Sequence, residues 1–211
     1  MDRRKRKSRE ALRKACLELV REKGFEAMTI LDITTRADLN RGTFYLHFVD
    51  KYDMVEQFEK ELISKIEHAL LDDITEIHTL EELVHSRKLS LIKIFDCFQE
   101  DRDLLEIIFN TKGVVSFQQS LSDIAETVFE DKLNREKLKL DKHIPPELFR
   151  IVIVSLMVSI AQYWLKGDKH VSSEVMAHGF LNIMMNGPAR ATGLIPGVYI
   201  DIEDIFNKTQ Y

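Results

Sequence analysis

The chain has 211 residues, 45% of them hydrophobic, with only four prolines and eight glycines; such a composition permits a buried core and long helices and excludes wholesale disorder. Its two cysteines, Cys16 and Cys97, are far apart and lack CxxC spacing, so neither a disulfide framework nor a thiolate zinc site is indicated. The net charge of −5 hides an asymmetry: residues 1–50 hold twelve Lys/Arg against eight Asp/Glu, and residues 51–211 hold eighteen against twenty-seven, so one end attracts phosphate while the rest repels it.

In chain order, the first feature is a basic run, Arg3 to Lys7 with Arg9. No apolar stretch follows it, which argues against a secretory signal and for a cytoplasmic protein. Two readings of the run stay open: a solvated leader, or an arm that touches phosphates or the minor groove. A first helix carries Leu12, Ala15, Cys16, Leu19 and Val20 on one stripe and Arg13, Lys14, Glu18 and Arg21 on the other, and ends at Gly24. Thr29 stands three residues before Asp32, the spacing of a capping box, and starts a short second helix reaching about Asp38. Asn40 caps a third helix and Asp50 a fourth.

Beyond these, helical spacing predicts helices at about 51–74, 80–99, 101–110, 114–135, 146–167 and 172–187. Starts are marked by Thr79 with Glu82, by Pro145 and Pro146, and by Ser172; Gly113, Gly167 and Gly187 are read as stops. The uncharged stretch Ile151 to Leu165 is too short to span a bilayer and reads as a buried helix. Residues 188–211 read as a tail that docks on the body. Alternating strand patterns are scarce, so the fold class is all-α, with about nine helices.

The informative segment runs from Thr29 to Met54. Ile30, Ile33 and Ala37 share one side of the second helix, while Phe44 and Phe48, four apart, anchor the third. That leaves Arg41, Thr43, Tyr45, Leu46 and His47 for the other side, a surface of hydrogen-bonding, cationic and flat groups without an acid. Such a surface suits a DNA groove: Arg takes guanine O6 and N7, Thr and Leu touch thymine methyls, and Tyr and His bond phosphate oxygens. Gly42 lets the backbone come close, and Lys51 at the next helix start is placed to meet a phosphate with the free amides there.

This segment resembles the helix-turn-helix of the TetR family of bacterial transcriptional regulators, with Thr29, Ile33, Ala37, Thr43, Phe44, Tyr45, His47, Phe48 and Lys51 at matching positions. The resemblance implies that Arg41, Gly42, Thr43, Tyr45, Leu46 and His47 face the major groove and that Thr29, Tyr45 and Lys51 lie on phosphates. Two departures stand out: Asp38 occupies a turn position usually held by Gly, and Asn40 a cap usually held by Ser. A non-glycine residue in that turn needs a left-handed backbone, which Asp tolerates better than most. The expected division is a three-helix DNA-binding domain at 1–52 and a larger helical regulatory and dimerisation domain at 53–211.

The helices at 146–167 and 172–187 are apolar on more than one face, which one core cannot cover. The resemblance implies that they pair with a second copy in a four-helix bundle, with Leu156 and Ile160 in the interface, giving a homodimer that binds a near-palindromic operator in double-stranded DNA. It also implies an effector pocket among the middle helices. Aromatics gather there, and Phe95, Phe98, Phe109, Phe117 and Trp164, with His85 and Gln162 as polar fixtures, would line a site for an apolar or aromatic small molecule. Phe129 and Tyr163 belong to the same aromatic set. Plain core packing is the competing reading for each of them. The resulting function is a sequence-specific DNA-binding transcriptional regulator, a repressor released by its effector. The alternative is a DNA-binding architectural or partner-binding factor without small-molecule control. The seven histidines are dispersed, and no nucleophile elbow or Gly-rich phosphate loop appears, so metal, cofactor, membrane contact and enzymatic activity are not expected.

Overall fold

A computed structural model describes residues 3–71, 79–110, 113–136, 145–167 and 171–191, with isolated positions beyond. The described elements are all helical: α1 (Arg3–Lys23), α2 (Ile30–Arg36), α3 (Arg41–Tyr45), α4 (Lys51–Leu71), α5 (Leu80–Glu100), α6 (Arg102–Asn110), α7 (Gly113–Glu136), α8 (Pro146–Lys166) and α9 (Ser173–Ala191). They pack as two compact units, residues Met1–Leu62 with Asp101–Val114, and residues Ile63–Glu100 with Val115–Tyr211. By packing, then, the first unit takes in 53–62 and 101–114 as well as the expected 1–52 head.

In the first unit, α1 buries Leu12, Ala15, Cys16 and Leu19 and stops at Gly24, whose φ is 78°. Burial pushes the Cys16 thiol up to about 12, so it is a packing group rather than a nucleophile. Thr29 then closes both halves of the capping box: the Asp32 amide donates to its hydroxyl oxygen at 3.2 Å and its own amide donates to the Asp32 carboxylate at 2.8 Å. Between α2 and α3 the Leu39 amide reaches back to the Thr34 carbonyl (2.9 Å) and the Asp38 amide to Thr35 (3.2 Å), the paired bonds of a Schellman turn. That turn needs a left-handed residue, and Asp38 supplies it at φ 53°, alone among the described non-glycine residues. Asn40 caps α3 through the Thr43 amide at 2.8 Å. Phe44, Phe48 and Phe58, all buried, pack ring against ring at 5.5 and 5.6 Å. The buried residues Leu104, Leu105, Ile107 and Ile108 bring α6 onto the same core, and Arg13 to Asp101 and Arg21 to Asp103 pair it with α1.

In the second unit, α5 packs along α9 and meets α8, which also packs on α9. Val84, Leu91, Phe95 and Phe98 of α5 join Val154, Met157, Val158, Ala161 and Trp164 of α8 and Ala177, Phe180 and Leu181 of α9 in its core. Two expectations are corrected here. Gly113 is the first residue of α7 rather than a stop. The stretch from Ile151 to Leu165 is only half buried: Ile151 is 57% exposed, Val152 50% and Tyr163 75%. By length and composition α8 is the one described helix suited to crossing a bilayer; its buried stripe is matched instead by α5 and α9. Gly187, at φ 70° before Pro188, breaks α9 where the sequence stop was placed. Most of the tail at 188–211 lies outside the described residues, as does the Phe129 side chain.

Candidate nucleic-acid interface

Because α3 is anchored by Phe44 and Phe48, its opposite side is open. Arg41 and Gly42 are exposed, Tyr45 is 52% exposed and Leu46 73%. Arg41 has no hydrogen bond or ion pair among the described residues, so its guanidinium is available to a partner. At Gly42 an added Cβ would sit 3.2 Å from the Asn40 cap oxygen. Glycine there protects the cap, a role separate from admitting a ligand.

The other expected contact residues are partly engaged inside the fold. The Thr29 hydroxyl donates to Asp32 at 2.7 Å while accepting from its amide, and the Thr43 hydroxyl donates to the Asn40 side chain at 3.0 Å. His47 is half-buried, its Nε2 lies 2.7 Å from Ser8 Oγ, and burial, Lys5 and Arg9 together hold its imidazole below the ordinary histidine range. Lys51 departs most from expectation. Its ammonium donates to the carbonyls of Phe25, Glu26 and Met28, each at 3.0 Å, and lies 4.8 Å from the Phe25 ring centroid. All three of its protons are therefore committed to the turn between α1 and α2, and a phosphate oxygen would have to displace a carbonyl. Nor are the nearby amides free, since those of Tyr52 and Asp53 donate to Asp50 at 2.8 Å.

The basic run is not an extended arm. Residues 3–9 form the opening turns of α1, and a helix about 10–12 Å across does not enter a minor groove about 6 Å wide. Arg3, Lys5 and Lys7 are instead exposed cations spread around the start of a helical rod, a geometry for phosphates. Sequence reasoning missed Ser8, which ties that rod to the end of α3 across 39 positions, a separation no local pattern reports. It also missed Val49, which is 77% exposed just beyond α3, with its amide on Asp53.

The expected pocket residues divide between the units. Phe95, Phe98, Phe117 and Trp164 lie in the second unit as contacting rings: Phe95 is 5.8 Å from Phe98 and 5.6 Å from Trp164, and Phe98 is 6.4 Å from Phe117. His85 and Gln162 are half-buried in that unit, whereas Phe109, on α6, belongs to the first. Lys88 escaped the sequence reading. It is 1% exposed and lies seven residues, two helical turns, before Phe95 on α5. Leu156 and Ile160 are half-buried on α8, beside the more exposed Leu148, Ile151, Val152 and Tyr163.

Comparison with known proteins places these two regions together. The family model described as bacterial regulatory proteins, tetR family, matches residues 12–58, and one described as transcriptional regulator C-terminal region matches residues 85–186. The HTH-type transcriptional regulators YxbF and YerO of Bacillus subtilis, themselves uncharacterised, are each 23% identical, over 87% and 84% of this chain. The chain spans about half the length of these relatives, 46% and 56%. Among solved structures, the regulator FadR of Bacillus subtilis in complex with stearoyl-CoA superposes with a TM-score of 0.66 at 19% identity, covering 84% of this chain and 98% of that one. The Thermus thermophilus repressor FadR in complex with lauroyl-CoA gives 0.57 at 18%, covering 90% and 100%. At such identities the likeness is one of fold, and it agrees with the sequence matches at both ends: the chain belongs to the TetR family of bacterial transcriptional regulators.

Proposed function

We propose that the chain is a sequence-specific DNA-binding transcriptional regulator that acts as a cytoplasmic homodimer and represses until a small-molecule effector releases it. The observation that carries this reading is the free side of α3, where the unpaired Arg41 and the exposed Tyr45 and Leu46 stand clear of a helix fixed by two buried phenylalanines. Residues 1–52 supply the reading surface and residues 53–211 the regulation and pairing. The half-exposed apolar side of α8, with Leu156 and Ile160 beside Val152 and Tyr163, supports pairing with a second copy, and two-fold symmetry sets two α3 helices on a near-palindromic site.

The effector class follows from two supports. Structural neighbours bind stearoyl-CoA and lauroyl-CoA, apolar chains on an anionic carrier, and this chain gathers Phe95, Phe98, Phe117 and Trp164 as buried, contacting rings in its second unit. We take the effector to be an amphiphile with an anionic group. The test is selection of bound duplexes from a random pool by the full chain, followed by release with acyl-CoAs of graded length. Enrichment of a palindrome, with release by one chain length, supports the whole reading. Failure to enrich any sequence refutes DNA reading, and enrichment without release by any acyl-CoA refutes the effector class.

A further inference from the structure

The free side of α3 narrows to a statement about operator composition, which rests on the DNA-binding reading above. Of the eight residues expected at DNA, four have polar atoms engaged within the fold: Thr29 with Asp32, Thr43 with Asn40, His47 with Ser8, and Lys51 with three carbonyls. Gly42 has no side chain. Three remain, Arg41, Tyr45 and Leu46.

Leu46 stands on the side of α3 opposite Phe44, one turn beyond Gly42, so nothing on its own helix shields it, and it is 73% exposed. Its backbone keeps helical geometry, with φ −71° and ψ −17°, which fixes the direction of the side chain. Leucine has no hydrogen-bonding atom. Among base edges in the major groove the apolar group is the C5-methyl of thymine, so an apolar reader at the centre of the open side has one partner. Arg41 has the complementary property: it is cationic, exposed and unpaired, and the fork of its guanidinium fits guanine O6 and N7. Tyr45 packs edge-on against Phe44 at 5.6 Å, which turns its ring aside from the centre of that face.

We propose that each operator half-site is read chiefly by Leu46 on a thymine methyl and Arg41 on a guanine. Five residues at 1.5 Å each separate the two readers by about 7.5 Å along the helix and by more than a third of a turn around it, so they reach different base pairs.

The test uses the full chain and the duplex it selects from a random pool. Each thymine is replaced in turn by deoxyuridine, which removes the methyl alone, and each guanine by 7-deazaguanine, which removes N7. In the wild type one deoxyuridine position per half-site weakens binding about fourfold, the value of one buried methyl, and one 7-deazaguanine position weakens it about tenfold. Leu46→Ala removes the deoxyuridine effect and leaves the 7-deazaguanine effect; Arg41→Ala does the reverse. A 5-methylcytosine pair at the sensitive thymine recovers part of the lost affinity, because it restores the methyl. If no deoxyuridine position weakens wild-type binding, or if the loss persists in Leu46→Ala, the inference is overturned while DNA binding stands. If no sequence is enriched at all, the function itself fails. The wild-type series decides the thymine question without any variant, and a thermal melt verifies that both alanine variants are folded.

Discussion

At the scale of residues, Asp38 holds a backbone conformation that costs an L side chain about 1–2 kcal/mol. Asp38→Gly should therefore raise the melting temperature, while Asp38→Val, β-branched in a left-handed turn, should lower it; equal melting points would show that the turn does not constrain folding. Lys51 makes a different point. Three carbonyls around one ammonium should make Lys51→Met costly by about 2 kcal/mol in urea unfolding. With the ammonium held on those carbonyls the salt dependence of DNA binding should keep its slope, and a slope reduced by about one would place Lys51 on a phosphate.

His47 is held below the ordinary histidine range by burial, Lys5 and Arg9. The folded chain thus binds fewer protons at this site than the unfolded chain just below that range. Stability accordingly rises with pH through this window and levels off above it, so acidification from neutrality is destabilising. A phosphate nearby would offset Lys5 and Arg9 and raise the same pKa, and operator affinity should then increase as pH falls through the ordinary histidine range and below it. His47→Gln should flatten that profile, and a flat wild-type profile would exclude a phosphate near the ring.

At the scale of elements, what the sequence made legible was whatever is settled within one turn. The caps at Thr29, Asn40, Asp50, Thr79 and Ser172 all form their expected bonds to amides two or three residues on. The left-handed turn at Asp38 was legible for the same reason. Contacts between distant segments were not. The Lys51 bonds span 23 to 26 positions, Ser8 to His47 spans 39, and the burial of Lys88 depends on what packs over α5. The periodicity of α8 showed excess apolar surface without showing which part a single copy leaves bare. That part includes Val152 and Tyr163. Val152→Glu should leave the helical spectrum intact and give monomers in sedimentation, with weakened operator binding; an unchanged dimer would remove this side of α8 from the pairing surface.

At the scale of the whole molecule, the excess of cations over residues 1–50 overstates what DNA meets. Arg9 and Arg13 pair with Glu61, Arg13 also with Asp101, Arg21 with Asp103, Lys23 with Asp32, and Arg36 with Glu18 and Glu22. Three of those acids, Glu61, Asp101 and Asp103, come from beyond residue 50, so a positional charge count could not reveal them. Regulation is also a property of the whole chain. If an effector weakens operator binding by some factor, operator DNA must weaken effector binding by the same factor. Titrating acyl-CoA with and without operator measures this, and an acyl-CoA affinity that operator leaves unchanged would rule out a coupling between the two sites.

The helical start of α1 has a consequence for the genome as well. Flexible arms that thread the minor groove sense its width and so add A-tract preferences to either side of a binding site. A basic helix does not enter that groove, so the cations of residues 3–9 should add no A-tract preference to the flanks of an operator, and their contribution should be the same on any sequence.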